Sequence, residues 1–150
     1  MALRFQLTID CADPDKQARF WAEALRYQLA PPPDGFESWQ AFYRSIGVPE
    51  SELAEMGDDV DRIVDSDGVG PRIWFQVVPE GKTVKNRLHL DIHASAGRGV
   101  SIETRREQVD AEVARLVALG AKVNRVSAEP GLHHYAVTLY DPEGNEFCVN

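Results

Sequence analysis

The chain has 150 residues, 43% of them hydrophobic, which suits one globular domain or two small modules sharing a core and argues against disorder. Its formal net charge is −8, from 24 acidic and 16 basic residues, and its basic stretches (Arg105-Arg106, Lys82 to Arg87) are short. Nucleic acid is therefore excluded as a partner, because phosphate binding needs a clustered basic face. No apolar run approaches the roughly 20 residues of a membrane span. The opening MALRFQLTID has no secretory apolar core, and two cysteines, Cys11 and Cys148, are too few for a disulfide scaffold. The expected location is the cytoplasm.

Leu3 to Cys11 alternates, with Phe5, Leu7, Ile9 and Cys11 on one face and Gln6, Thr8 and Asp10 on the other, which predicts a strand. Asp13 reads as an N-cap with Pro14 at the first helical position, and Phe20, Trp21, Ala24 and Leu25 form a stripe at helical spacing. The helix is expected to end near Tyr27, before Pro31 to Pro33 break the chain. Trp39, Phe42 and Tyr43 suggest a short helix, and the acidic run from Glu50 to Asp59 a surface loop or second short helix. Val60 to Asp65 and Arg72 to Val78 read as a hairpin around Ser66-Asp67-Gly68.

The second half repeats this order. Arg87 to Ala94 alternates as a strand, Ile102 to Leu119 carries Val109, Val113, Leu116 and Val117 at helical spacing, and Gly120 is the stop. Lys122 to Ser127, Tyr135 to Tyr140 and Glu146 to Val149 complete it, with Asp141-Pro-Glu-Gly144 turning between the last two. Helices lying over strands with alternating faces indicate an α+β fold in two modules, about 1–80 and 86–150, and no glycine-rich phosphate loop is present.

If the helices cover the apolar faces, alternation assigns the opposite faces. These carry Gln6, Thr8 and Asp10; Trp74 and Gln76; Arg87, His89, Asp91 and His93; His134, Ala136, Thr138 and Tyr140; and Glu146 with Cys148. Such a face is either the wall of a cup for a small polar ligand or simply the wet side of an antiparallel sheet. Arg, His, Asp and His on one strand is dense for a solvated surface, which favours the cup.

Four segments carry a resemblance: ADPDKQARFWAEAL, GPRIWFQVVPEGKTVKNRLHLDI, LVALGAKV and DPEGNEFCV. Together they span nearly the whole chain, which resembles the vicinal oxygen chelate superfamily and, within it, the glyoxalase-like domain proteins. The resemblance implies two βαβββ modules forming a U-shaped mixed sheet around a cavity, with helices on the outer face. Relatives include glyoxalase I, extradiol dioxygenases, methylmalonyl-CoA epimerase and the fosfomycin- and bleomycin-resistance proteins. Metal-dependent members hold a divalent ion that chelates vicinal oxygens of the substrate.

By position the resemblance matches the family's metal ligands to Gln6, Gln76, His89 and Cys148, of which only His89 is an orthodox ligand in its place. Two uncharged amides weaken such a set, so a divalent metal ion and a metal-free cavity stand as equal expectations. His89 and Glu146 are the candidate catalytic residues, His89 as ligand or acid–base group and Glu146 as a carboxylate on the face of Cys148. Trp74 and Tyr140 are candidates for stacking a planar ligand. Arg87 and Asp91, two positions apart on the cup face, read either as an ion pair or, through Arg87, as an anion anchor. Two function classes follow: a metal-assisted lyase, isomerase or dioxygenase on a small oxygenated substrate, or a metal-free protein that binds and sequesters a small molecule, such as a drug or antibiotic. The expected partners are a small-molecule ligand and a second copy of the chain in a homodimer.

Overall fold

The computed structural model describes residues 3–57, 59–129, 131 and 133–150. It is a mixed α+β protein of two four-stranded mixed sheets, and neither sheet closes into a barrel. The chain divides into two compact units, residues 1–22 with 26–78, and residues 23–25 with 79–150.

The first unit opens with β1 (Gln6–Cys11) and α1 (Pro14–Leu25), then β2 (Gln28–Leu29), α2 (Trp39–Ser45), α3 (Glu50–Met56), β3 (Arg62–Val64) and β4 (Arg72–Val77). Its sheet order is β1-β4-β3-β2, with β1 parallel to β4 and the other pairs antiparallel. The second unit contains β5 (Asp91–Ile92), α4 (Ile102–Ala118), β6 (Lys122–Ser127), β7 (Ala136–Tyr140) and β8 (Glu146–Val149), in the order β5-β8-β7-β6. Here β5 is parallel to β8, and the other pairs are antiparallel. The two sheets therefore share one topology, as the repeated element order predicts.

Local chemistry starts and stops the helices. Asp13 Oδ1 accepts from the Lys16 backbone N–H at 3.0 Å ahead of α1, and Ser101 Oγ accepts from Thr104 N–H at 3.1 Å ahead of α4. Gly120, at φ 114°, ends α4 and lets the Ala121 N–H return to the Leu116 carbonyl at 3.0 Å. The two hairpin turns are built alike. Gly68 N–H bonds the Asp65 carbonyl and Gly144 N–H the Asp141 carbonyl, both at 3.0 Å, with each glycine at positive φ. In each turn the aspartate side chain also gathers backbone N–H groups, those of Asp67, Val69 and Gly70 for Asp65 and those of Glu143 and Asn145 for Asp141.

Alternation holds where a strand has a partner on its ladder. Ile63, Ile73 and Phe75 are buried in the first unit, and Val137, Leu139, Phe147 and Val149 in the second. The second set lies on strands that pack against α4, whose Val109 and Leu116 are buried.

Three sequence expectations need correction, and the acidic run takes the second of its two expected forms. The first strand begins at Gln6, not Leu3, and Phe5 is 73% exposed. Gln6 pairs with Arg72, so Phe5 would pair with Pro71, which has no N–H to continue the ladder. Of Arg87 to Ala94 only Asp91–Ile92 is regular strand, and Leu88 is 82% exposed. Extending the register of Asp91 on Cys148 backwards sets Arg87 opposite Gly144, in the turn where β8 has not begun. The two-residue β2 is an addition; it pairs with Ile63 and Val64 just before the prolines end its ladder. The acidic run folds in part as α3 around a buried Leu53, and its Asp58 lies outside the described residues.

Gln17 on α1 is fully buried, and neither amide atom has a hydrogen-bond partner among the described residues. An unmet buried amide costs about 1–3 kcal/mol. Gln17→Met, which keeps the length and removes the polar atoms, is expected to raise urea-unfolding stability by about that amount. Phe147→Ala is expected to lower it by about 3–5 kcal/mol.

Candidate functional site

The second sheet presents a polar face opposite its α4 side. Backbone register aligns Asp91 with Cys148, Cys148 with Thr138 and Thr138 with Arg125, a row running across all four strands. A second row pairs Glu146 with Tyr140 and Tyr140 with Lys122. His89, two residues before Asp91 and ahead of the regular strand, brings its ring to the Asp91 side chain.

His89, Asp91 and Cys148 each offer a ligand atom, and these atoms lie within 4.8 Å of one another. His89 Nε2 stands 3.3 Å from Asp91 Oδ1, with the two side chains 39% and 49% exposed, so the pair is open to solvent and to a ligand. Cys148 Sγ lies 3.4 Å from Thr138 Oγ1. Beside them His93 Nδ1 is 2.6 Å from Asn150 Oδ1. An imidazole, a carboxylate and a thiol at this spacing form a donor set for a divalent metal ion.

The other residues singled out from the sequence fall around this group or in the first unit. Asp91 pairs with His89, and Arg87 has no ion pair among the described residues. Glu146 shares the face of Cys148 but is held by the segment before β5. Asn86 N–H donates to its Oε2 at 3.0 Å, and Lys82 Nζ stands 3.2 Å from the same oxygen. These contacts, the Asn86 N–H foremost, keep its carboxyl below the ordinary glutamate value. Tyr140 is half-buried between Glu146 and Lys122 in the register.

In the first unit Gln6 pairs with Arg72, and Asp10 with Gln76. Gln6 and Gln76 thus stand four residues apart along the ladder, about 13 Å at strand rise, so they do not meet. The middle of that face holds Thr8 beside Trp74, and Trp74 beside Arg62.

Trp74 is tied into a network that the sequence did not reveal. Its Nε1–H donates to Asp61 Oδ2 at 2.9 Å, and Arg62 grips the same carboxylate through Nε at 2.6 Å and Nη2 at 3.0 Å. The Arg62 guanidinium lies 4.5 Å from the Trp39 ring centroid, and Trp39 stacks on Tyr43. The signal was present in two pieces, the aromatic triplet of α2 and the shared strand face of Arg62 and Trp74. No pattern rule joins residues so far apart.

A sequence profile of the glyoxalase-like domain matches residues 6–150. The chain belongs to the glyoxalase-like domain family. Solved structures with a similar fold agree. A glyoxalase/bleomycin resistance protein/dioxygenase family enzyme from Burkholderia phytofirmans PsJN is 20% identical, with 97% of this chain and 94% of that one covered and a TM-score of 0.56. The fosfomycin resistance protein FosX from Listeria monocytogenes is 11% identical, with 99% and 92% covered and a TM-score of 0.60. FosX has also been solved complexed with Mn(II) and sulfate. No curated protein sequence matches the chain. At these identities the likeness of the solved structures concerns the fold.

Asp61 offers a pH test of the first unit. Burial raises its carboxyl, but the hydrogen bonds from Arg62 and Trp74 outweigh it and hold the group below the ordinary aspartate value. A depressed carboxyl stabilises the fold above the unfolded-state value of about 3.9, and the contribution is lost as pH falls through the lower folded value. Tm followed from neutral pH into acid is expected to fall less steeply in Asp61→Asn than in the wild type. Equal slopes would show that this carboxylate is not held by Arg62 in solution.

Proposed function

We propose that the protein binds a divalent metal ion on the polar face of its second sheet and acts on a small oxygenated molecule there, as a metal-assisted lyase, isomerase or dioxygenase. One observation carries this reading: the ligand atoms of His89, Asp91 and Cys148 lie within 4.8 Å of one another on an accessible face. Donor atoms in a four-coordinate site with bonds of about 2.0–2.3 Å are roughly 3.3–3.8 Å apart, so binding would contract the group by about 1 Å. Three protein ligands leave a position open, which is the pattern of a catalytic centre and not of a structural one. The thiol favours zinc over the harder manganese or magnesium.

A bound ion would act as a Lewis acid towards a substrate oxygen. The chain's own groups would do the rest. Thr138 holds the Cys148 sulfur from the neighbouring strand, so the thiol is oriented before an ion arrives. Glu146, fixed by Lys82 and Asn86, is a placed carboxylate one step along the same strand face. Tyr140, its register partner, offers a ring edge and a hydroxyl to a planar or polar ligand. Arg87, without an ion pair among the described residues, is the candidate anchor for an anionic group of the substrate.

A second reading rests on a different observation. His89 already pairs with Asp91 and Cys148 with Thr138, so the group is satisfied without an ion. That suits a metal-free protein that binds and sequesters a small molecule.

Zinc titration with a competing chelator separates the two. Under the first reading the wild type binds one equivalent, and His89→Ala, Asp91→Ala and Cys148→Ala each lose more than the roughly 10–100-fold that removal of a merely supporting group costs. Gln6→Ala and Gln76→Ala in the same assay show whether either amide adds a donor. No stoichiometric zinc in the wild type, with ligand binding that survives chelation, would replace the first reading with the second.

A further inference from the structure

We infer that the first unit carries a binding site of its own, for a small amphipathic anion, in the cavity where the β1–β4 ladder ends. The cavity has a volume of about 550 Å³ and is lined by the segment before β1 and, around the β3–β4 turn, by Val64, Asp65 and residues 68–72. That volume lies within the range of small-molecule pockets. No residue proposed above as a metal ligand or catalytic group lines it.

Its lining combines two features that a solvated surface rarely brings together. The first is cationic. Arg4 and Arg72 both face the cavity, and neither has an ion pair among the described residues. Two unneutralised guanidinium groups converging on one hollow stand out in a chain of net charge −8. The remaining charged group of the lining is Asp65, and its oxygens are already taken by the backbone N–H groups of Asp67, Val69 and Gly70. Those bonds hold its carboxyl below the ordinary value, so it stays anionic, and the lining keeps a net charge of one positive unit.

The second feature is apolar. Leu3, Phe5 and Val69 are 92%, 73% and 88% exposed, and all three line this cavity. A ligand tail laid against them would remove apolar surface from water at about 25 cal/mol per Å². The wall is also set in advance. Asp65 pins the turn at three positions, and the Tyr27 hydroxyl packs so closely on Gly70 that an added Cβ would meet it at 1.8 Å. On the side of this turn little ordering remains to be spent on binding. Guanidinium forks recognise planar or tetrahedral oxyanions, so the ligand class is a carboxylate or phosphonate bearing a short alkyl or aryl group.

The test is calorimetric titration in the presence of chelator, with 4-phenylbutyrate as the probe and 4-phenylbutanol and 4-phenylbutylamine as its neutral and cationic counterparts. Saturable binding of the carboxylate is expected, with both counterparts weaker by about tenfold or more, the weight of one charge-assisted hydrogen bond. Arg72→Gln and Arg4→Gln are each expected to weaken 4-phenylbutyrate by a similar factor. Arg4 lies outside regular structure, so its variant answers even if Arg72→Gln disturbs the strand. No saturable binding by the wild type, equal binding of the alcohol, or an affinity unchanged in both variants would overturn the proposal. Because chelator is present throughout, the outcome is independent of the metal group of the second unit.

Discussion

The parallel pairing of β5 with β8 is the constraint on which the candidate site depends. Cys148 N–H bonds the Leu90 carbonyl and Asn150 N–H the Ile92 carbonyl, both at 2.9 Å, and this sets Asp91 beside Cys148. A slip of one residue would turn Leu90 and Ile92 to the polar face and His89 and Asp91 away from it. Burial fixes the β8 side of this pairing. Phe147 and Val149, which alternate with Glu146 and Cys148 on β8, are fully buried on the α4 side. The apolar half of β8 therefore fixes the position of its polar half. Packing worth several kcal/mol thus sets which way the Cys148 thiol faces.

The same architecture occurs twice and is used differently each time. Both sheets run a parallel outer strand against the last strand of a hairpin, and both hairpins close on an aspartate that gathers backbone N–H groups before a positive-φ glycine. In the second unit the polar face collects titratable groups that remain open to solvent. In the first unit α2 lays Trp39 and Tyr43 against Arg62, and Asp61 ties Arg62 to Trp74. That half of the face is closed by a self-satisfied network, and the strand residues left exposed on β1 are Gln6, Thr8 and Asp10. The scaffold is common; the chemistry resides in what each face carries.

The period-two pattern made much of this legible. β6 and β8 have the bounds their alternation predicts, and His89, Asp91 and Cys148 share a face as it requires. Pattern fails where a strand lacks a partner. Phe5 and Leu88 alternate correctly yet stand in solvent, because Pro71 and the Asp141–Gly144 turn give their segments nothing to pair with. Long-range polar capture is equally hidden. Glu146 reads as a free carboxylate until Lys82 and Asn86, some 60 residues earlier, are found against it. Asp91 reads as the partner of Arg87 but meets His89, the nearer of two residues that both precede the regular strand. Composition and alternation encode faces; they do not encode which neighbour wins a contested side chain.

The central claim is that Cys148 ligates a metal ion together with His89 and Asp91. The most direct measurement is the optical absorption of protein loaded with one equivalent of cobalt(II), since a thiolate bound to cobalt gives a charge-transfer band that oxygen and nitrogen ligands do not. The account expects that band in the wild type, its loss in Cys148→Ala with cobalt still added at one equivalent, and visible ligand-field bands of a low-coordinate site in the wild type alone. A cobalt-loaded wild type with no charge-transfer band, or a band that persists without Cys148, would contradict it.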